Sequence, residues 1–497
     1  MSLVMPAAEA EIMSRREQIV ARLRAILPAA SVIADETARR AYECDALTMY
    51  RQLPLVVALP ETVAQVSAVM KLAQELNVKV VPRGAGTSLS GGSLALEDGI
   101  MLGMSKFNRI LEVDFENRCA RVQPGVANLA ISKAVEHAGF YYAPDPSSQI
   151  ACSIGGNVGE NAGGVHCLKY GLTTNNILGL ELVLMGGEVV RLGGKHLDSE
   201  AYDLLGLMTG SEGLLAVITE VTVRLLQKPQ VARGVLLGFP SVEAGGHCVA
   251  EIIAQGIIPG GMEMMDNPSI RAAENFQPCG YPLDVGSLVI VELDGTPSEV
   301  DHLIARVEGI ARAQGATFLK VSQSEAERLQ FWAGRKNAFP AVGAIGPDYL
   351  CMDGTIPRGR LSEVLARMED LAKAHQLRVA NVFHAGDGNL HPLILYDASK
   401  PGDIERAEAF GADILRLCVE VGGVLTGEHG VGVEKRDLMG TMFNETDLDQ
   451  QLRVKCAFDP QHRLNPGKVF PQLRRCAELG HMHVRGGALP FPDLPRF

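Results

Sequence analysis

The sequence predicts an α+β protein: an α/β domain followed by a second α/β domain that carries an antiparallel hairpin. Three observations point there. Strand and helix patterns alternate between residues 51 and 228. The pattern changes after Lys228-Pro229. Further on, His384-Ala-Gly-Asp-Gly-Asn-Leu-His391 reads as two short strands joined by turn chemistry. At 497 residues the chain exceeds one ordinary core, so two or three domains are expected.

The elements follow in order. Residues 1–50 read as a helical lead-in, because Ile19, Leu23 and Leu27 recur at helical spacing. Strand LVVAL (55–59) leads to a helix from about Glu61 to Leu76, with Val63, Val66, Met70, Ala73 and Leu76 on one face. Strand VKVVP (78–82) runs into PRGAGTSLSGG. Strands GIMLGM, RILEVDF and CARVQPG come next, the last two joined by a turn at Glu116-Asn117-Arg118. A second Gly-rich stretch covers 144–174, and strands LELVLM, VVRL and AVITEVTVRLL (216–226) complete the domain 51–228. A second domain, 229–415, holds strand–helix–strand units over about 233–330. In it PRGRL opens a helix to about His375, followed by strand RVANVFHA and the hairpin. A helix from about Asp403 to Val421 stops at Gly422-Gly423, and the segment 416–497 is partly helical with a Pro-rich tail.

Composition excludes several classes. Hydrophobic content of 47% and charged content of 21% describe a globular protein. A net charge of −12 argues against a nucleic-acid or anionic-membrane binder. The ten cysteines are scattered, without CxxC, which argues against a disulfide scaffold and against an iron–sulfur cluster held by this chain. Glu9, Glu11 and Arg15 interrupt any signal-peptide core, and no apolar run is long enough to span a membrane. A cytoplasmic location is expected.

The two Gly-rich stretches read as ligand loops. GAGTSLSGG (84–92) is not a dinucleotide fingerprint, since only Ser93 to Asp98 separate it from the next strand, too few for a crossover helix. It is expected to cradle phosphate between two strands, with Arg83 neutralising charge. In the second stretch, Gly155-Gly156 and Gly163-Gly164 let backbone pass close to a flat ligand, and Ser147, Ser148, Asn157 and Asn161 offer hydrogen bonds. Two such loops suit a long ligand with a diphosphate and a ring at either end.

The hairpin carries the chemistry. If Gly386 to Asn389 form a four-residue loop, Ala385 faces Leu390 and His384 faces His391, with Cβ atoms roughly 4.5–5.5 Å apart. Two imidazoles so placed can share a metal ion, or they can be ordinary strand histidines. GEHG supplies Glu428 as a third ligand and His429 beside it. Two His and a carboxylate with open positions describe a catalytic metal site.

The motifs PRGAGTSLSGG, PDPSSQIACSIGGNVGENAGGVHCLKYG, GSEGLLAVITEV, HAGDGNLHP, TGEHGVGVEK and FDPQHRLNPGKVFP resemble those of the FAD-linked 2-hydroxy-acid dehydrogenases of the vanillyl-alcohol oxidase / p-cresol methylhydroxylase (PCMH) superfamily. The resemblance spans nearly the whole chain. It implies a PCMH-type FAD-binding domain of two α/β subdomains over 51–228, a substrate cap with an antiparallel sheet over 229–415, and a C-terminal segment returning to the flavin. It implies flavin contacts from Arg83, Gly84, Ala85, Gly86, Thr87, Ser88 and Gly91 in the first loop. In the second it implies contacts from Pro144, Asp145, Ser148, Gly155, Gly156, Asn157, Asn161, Gly163 and Gly164, with Glu212, Ile218 and Asn465 from the later motifs. No His stands between Arg83 and Gly92, so FAD is expected to be non-covalent.

Oxidising a 2-hydroxy acid removes a hydroxyl proton and a hydride; FAD can accept the hydride. His429 is the candidate base, since a His suits proton abstraction near neutral pH. In an extended segment neighbouring side chains point opposite ways, so Glu428 is expected to face the metal and His429 the substrate. A divalent metal, zinc first and manganese or iron as alternatives, is expected on His384, His391 and Glu428. The resemblance assigns the same roles, and places Arg335 on the substrate carboxylate; from sequence alone Arg335 reads equally as a solvated helix arginine. Trp332 reads as packing. Cys351 and Leu393 stand where D-2-hydroxyglutarate-oxidising members have Lys and Asn, which points to a short monocarboxylate, glycolate or D-lactate. The resemblance also implies a second flavin-type subunit and an iron–sulfur subunit as partners, which would make membrane association peripheral. The tail 476–497, with His481 and His483, reads as packing on its own domain, with docking as the alternative. Two competing classes remain at this point: a zinc hydrolase, and a flavoprotein that only relays electrons.

Overall fold

The computed structural model describes residues 5–197 and 201–471; the tail reading at 476–497 lies outside the described residues. The first sheet has four strands in the order Val32–Ile33, Val56–Ala58, Gly99–Gly103, Lys79–Arg83. The last three run parallel, and Val56, Val57, Ile100, Met101 and Leu102 are buried, as a sheet covered on both faces requires. Helix Val63–Glu75 covers it, capped by Thr62, whose hydroxyl accepts the Gln65 N–H. Its Val66 and Met70 pack with Ile19 and Leu23 of the lead-in helix Arg16–Ile26. Each such side chain contributes about 1.5–3 kcal/mol on full burial. Residues 84–98 join the parallel strands Lys79–Arg83 and Gly99–Gly103 without a helix, as the short spacing requires.

The second sheet is antiparallel, in the order Ile110–Asp114, Cys119–Val122, Val217–Arg224, Ile177–Val183, Val189–Gly193. The second Gly-rich stretch is not all loop. It contains the helix Ile154–Glu160, which places Gly155 and Gly156 in a first helical turn. Ile154 and Val158, one turn apart, are buried against this sheet, and that packing overrides the poor helix propensity of the glycines. Asn161 ends the helix in the left-handed region, φ 55°.

The third sheet has seven antiparallel strands, in the order Phe318–Val321, Val231–Phe239, Ser287–Gly295, Gly261–Asp266, Arg378–Phe383, Pro392–Tyr396, Asp348–Cys351. Alternate residues serve opposite faces. Val235, Leu237 and Phe239 pack with Val249, Met368 and Phe410 from the helices Val242–Ala254, Leu361–His375 and Asp403–Glu420. Leu236, Leu288 and Ile290 pack with Ile270 and Phe331 from the helices Asn267–Phe276 and Glu325–Lys336. The chain then returns to the first sheet. Val80 N–H donates to the Arg463 carbonyl, and Asn465 N–H to the Val80 carbonyl, both at 2.8 Å.

Candidate active site

The hairpin forms one residue earlier than its sequence pattern indicates. His384 N–H donates to the Asn389 carbonyl at 3.0 Å, and Gly388 N–H donates to the His384 carbonyl at 3.1 Å. The four-residue loop is therefore Ala385–Gly388, and His384 opposes Asn389 rather than His391. Gly388 decides this: it takes φ +84° and lies where a Cβ would come within 2.2 Å of the Ile356 carbonyl oxygen. The shift moves His391 by two positions, an even number, so both imidazoles stay on one face. Their rings lie 4.9 Å apart at 80°.

Glu428 closes the set. Its Oε1 is 3.2 Å from His384 Nε2 and 3.3 Å from His391 Nε2. The expectation that Glu428 and His429 face opposite ways is overturned: both line the same cavity, and the His429 ring stacks on His391 at 5.0 Å and 1°. The segment is curled, not extended, because the buried Asp353 carboxylate accepts the backbone N–H groups of Gly427, Glu428 and His429 at 2.9–3.3 Å. Lys435 Nζ balances Asp353 at 3.0 Å, with both side chains fully buried.

These groups suit a metal. Both ring nitrogens of His391, Glu428 Oε2 and His429 Nδ1 are buried without a hydrogen-bond partner among the described residues. Buried polar atoms left this way are costly unless something binds them. His384, His391 and Glu428 offer ligand atoms within 4.8 Å of one another. A second set, Asp353, His391 and His429, meets the same distance, but Asp353 is already committed to Lys435 and three N–H groups. Burial opposes charge on Glu428, yet the hydrogen bond and charge of His384 and the imidazoles of His391 and His429 hold its carboxyl down at about 2. Burial likewise disfavours the His384 cation, but Glu263 and Glu428 hold His384 well above its ordinary value. Burial pushes His429 down to about 4.

A cavity of about 500 Å³ lies against this cluster. Arg83, Gly84, Ala85, Gly86, Thr87 and Ser88 line it from the first loop, and Ser147, Ser148, Gly155, Gly156 and Asn157 from the second. Glu212 and Ile218 line a third wall; His391, Glu428 and His429 close one end together with Lys336 and Phe339 of the cap. The Arg83 guanidinium tucks beneath Gly86, at φ +75°, and donates to the Cys44 carbonyl at 2.8 Å. A cavity lined by glycine backbone and one arginine suits a dinucleotide with a diphosphate.

Other expected contacts support the walls without lining them. Gly91 packs on Val433, and Gly163 lies where a Cβ would stand 2.8 Å from Glu428 Oε2. Gly164 abuts the Asp145 backbone, and the Pro144 carbonyl accepts from Asn128. Asp145 accepts from His166, and Asn161 Oδ1 accepts the Thr174 N–H. Asn465 Nδ2 donates to the carbonyls of Gly92 and Glu212 at 2.9 and 2.7 Å, tying the first and third walls together.

Arg335 is not a solvated helix arginine. Its side chain is 1% exposed, its Nε donates to Glu263 Oε2 at 2.7 Å, and its Nη2 is buried without a hydrogen-bond partner among the described residues. Trp332 is buried, its indole N–H on Glu292 at 2.5 Å. Sequence reasoning missed Asp353, Glu263 and Lys435, which bind the site from behind, and Glu160, which lines the cavity beside Glu212. Burial and the charge of Glu212 raise the Glu160 carboxyl well above its ordinary value.

Residues 54–193 match the FAD binding domain family, and residues 228–469 match the C-terminal domain of FAD linked oxidases. The chain is 57% identical to glycolate oxidase subunit GlcD of Escherichia coli K12, over 97% of each chain. It is 37% identical to the subunit of that name in Bacillus subtilis, over 88% of this chain and 93% of that one. It is 30% identical to D-lactate dehydrogenase of Anaerostipes hadrus, over 92% and 98%. Among solved structures, p-cresol methylhydroxylase shares the fold at a TM-score of 0.79 and 17% identity, covering 94% of this chain and 98% of that one. A hydrolase without flavin, the competing reading of the His/His/Glu set, does not suit a chain with an FAD binding domain. The chain belongs to the FAD-linked oxidases of the PCMH type, the flavoprotein family of its glycolate oxidase and D-lactate dehydrogenase relatives.

Proposed function

We propose that the protein oxidises a small 2-hydroxy acid to the 2-oxo acid, glycolate to glyoxylate first and D-lactate to pyruvate second. One observation carries the reading: His391, Glu428 and His429 meet at the wall of a cavity floored by both Gly-rich loops. Bound FAD would supply the hydride acceptor, and a divalent ion held by His384, His391 and Glu428 would supply a Lewis acid for the substrate hydroxyl. The chain's own residues do the rest. His429, kept neutral by burial, takes the hydroxyl proton on its ring. Asp353 holds the His429 backbone in place through its N–H at 2.9 Å. Arg335 offers its unpartnered Nη2 to the substrate carboxylate. Cap residues Phe339 and Pro340 help exclude water from the cavity.

FAD is held without a histidyl link at the first loop, since residues 83–92 contain no His. Electrons then leave through partner subunits, one flavin-type and one iron–sulfur, because this chain has no cluster motif. The likeness to glycolate oxidase subunits supports this reading. No helix among the described residues is long and apolar enough to cross a membrane. The test is an anaerobic panel of 2-hydroxy acids scored by loss of flavin absorbance. Bleaching by glycolate or D-lactate is expected; a flavin that no 2-hydroxy acid bleaches would leave a relay subunit instead.

A further inference from the structure

We infer that Glu263 is a positioning residue that couples His384 to Arg335, an inference that rests on the roles proposed above for those two residues. Glu263 lies in the strand Gly261–Asp266, whose partners Met264↔Phe383 and Met265↔Val382 set the register. One step further along that register Glu263 stands opposite His384. Its Oε1 is 2.6 Å from His384 Nδ1, and its Oε2 accepts from Arg335 Nε at 2.7 Å. The Glu263 side chain is fully buried and that of Arg335 nearly so. Each oxygen is committed to one partner.

Two consequences follow from this geometry. An oxygen accepting at Nδ1 requires the His384 proton there. That makes Nε2, the nitrogen facing Glu428 Oε1 at 3.2 Å, the one that would turn to a divalent ion in exchange for its proton. The other oxygen fixes the guanidinium of Arg335 through Nε and leaves Nη2 as a buried donor in search of an acceptor. One carboxylate thus orients both the proposed metal ligand and the proposed carboxylate donor. Glutamine cannot replace it, because its amide nitrogen would face a donor on one side or the other. Aspartate is one methylene too short to span both.

The experiment uses the flavin-loaded full chain and its Glu263→Gln variant. Zinc affinity is measured by competition with a chromophoric chelator, and KM and kcat are measured on glycolate with zinc saturating. The expected result is zinc binding weakened about 10–100-fold, together with a KM raised about tenfold and a smaller fall in kcat. Unchanged zinc affinity and unchanged KM overturn the inference, and so does a change in one without the other, since the coupling requires both. If Glu263→Gln does not retain flavin, Glu263→Asp is measured in its place under the same criteria. Wild type and His391→Ala separate the two levels. Zinc bound by wild type and lost in His391→Ala, with Glu263→Gln unaffected, sinks the role of Glu263 alone. A wild-type chain that binds no zinc overturns both this inference and the metal site beneath it.

Discussion

Cys351 and Leu393 are direct partners across the strands Asp348–Cys351 and Pro392–Tyr396. Both belong to the apolar cluster against which Phe339 packs, and Phe339 lines the cavity. Neither offers a group for a second carboxylate. Catalytic efficiency is therefore expected to be higher for glycolate and D-lactate than for D-2-hydroxyglutarate. Steady-state kcat/KM on the three acids checks this.

Metal content is the next measurement. Elemental analysis of protein purified without added metal should find about one divalent ion per chain. His391→Ala should lose it, since both ring nitrogens of His391 lack a hydrogen-bond partner among the described residues and Nε2 lies 3.3 Å from Glu428 Oε1. Retained metal and retained turnover in that variant would mean the ligand set is wrong.

His429→Asn should keep flavin and metal but slow flavin reduction by about 10²–10⁴-fold, the usual size of a general-base effect. Stopped-flow reduction under anaerobic, saturating substrate reads this directly. A wild-type rate would remove His429 from the proton transfer.

Acid precipitation should release the yellow colour into the supernatant, because no His occupies residues 83–92. Colour that stays in the pellet would reveal a covalent flavin.

His166 joins Asp145 of the second loop, at 2.9 Å, to Glu292 of the cap, at 3.1 Å. Burial opposes both charges, but the partners prevail: Glu292 is held at about 2 and His166 well above its ordinary value. The Glu292 contribution to stability is present above its unfolded pKa of about 4.3 and fades as pH falls toward 2. The His166 contribution is present below about 6.5 and is lost as pH rises through its folded pKa. Glu292→Gln should cost about 1–3 kcal/mol at neutral pH and flatten the acid limb. Urea unfolding at a series of pH values measures both, and an unchanged acid limb would show that the latch contributes nothing.

Much of this site was readable from local pattern. Gly-Asp-Gly-Asn announced a hairpin, and the two histidines flanking it fell on one face even though the register was off by one at each strand. The glycine loops were readable because tight backbone approach needs glycine. Asp353 and Glu263 were not. Asp353 sits between two short strands and Glu263 within one, and only the pairing of distant strands brings Glu263 opposite His384. The helix Ile154–Glu160 was missed because its glycines speak against a helix, while burial of Ile154 and Val158 against the second sheet decides the matter.

The bond between Val80 and the chain at Arg463–Asn465 has a consequence for biosynthesis. Lys79–Arg83 is the edge strand of the first sheet, and Leu464 is what pairs with it. The ribosome must deliver the entire cap before that partner exists. Until then the nascent first domain presents an open β-edge next to unfinished loops, the kind of surface on which chains stick to one another. Loading of the cofactor therefore belongs after chain release, and proteins shortened ahead of Arg463 should emerge colourless and prone to aggregate.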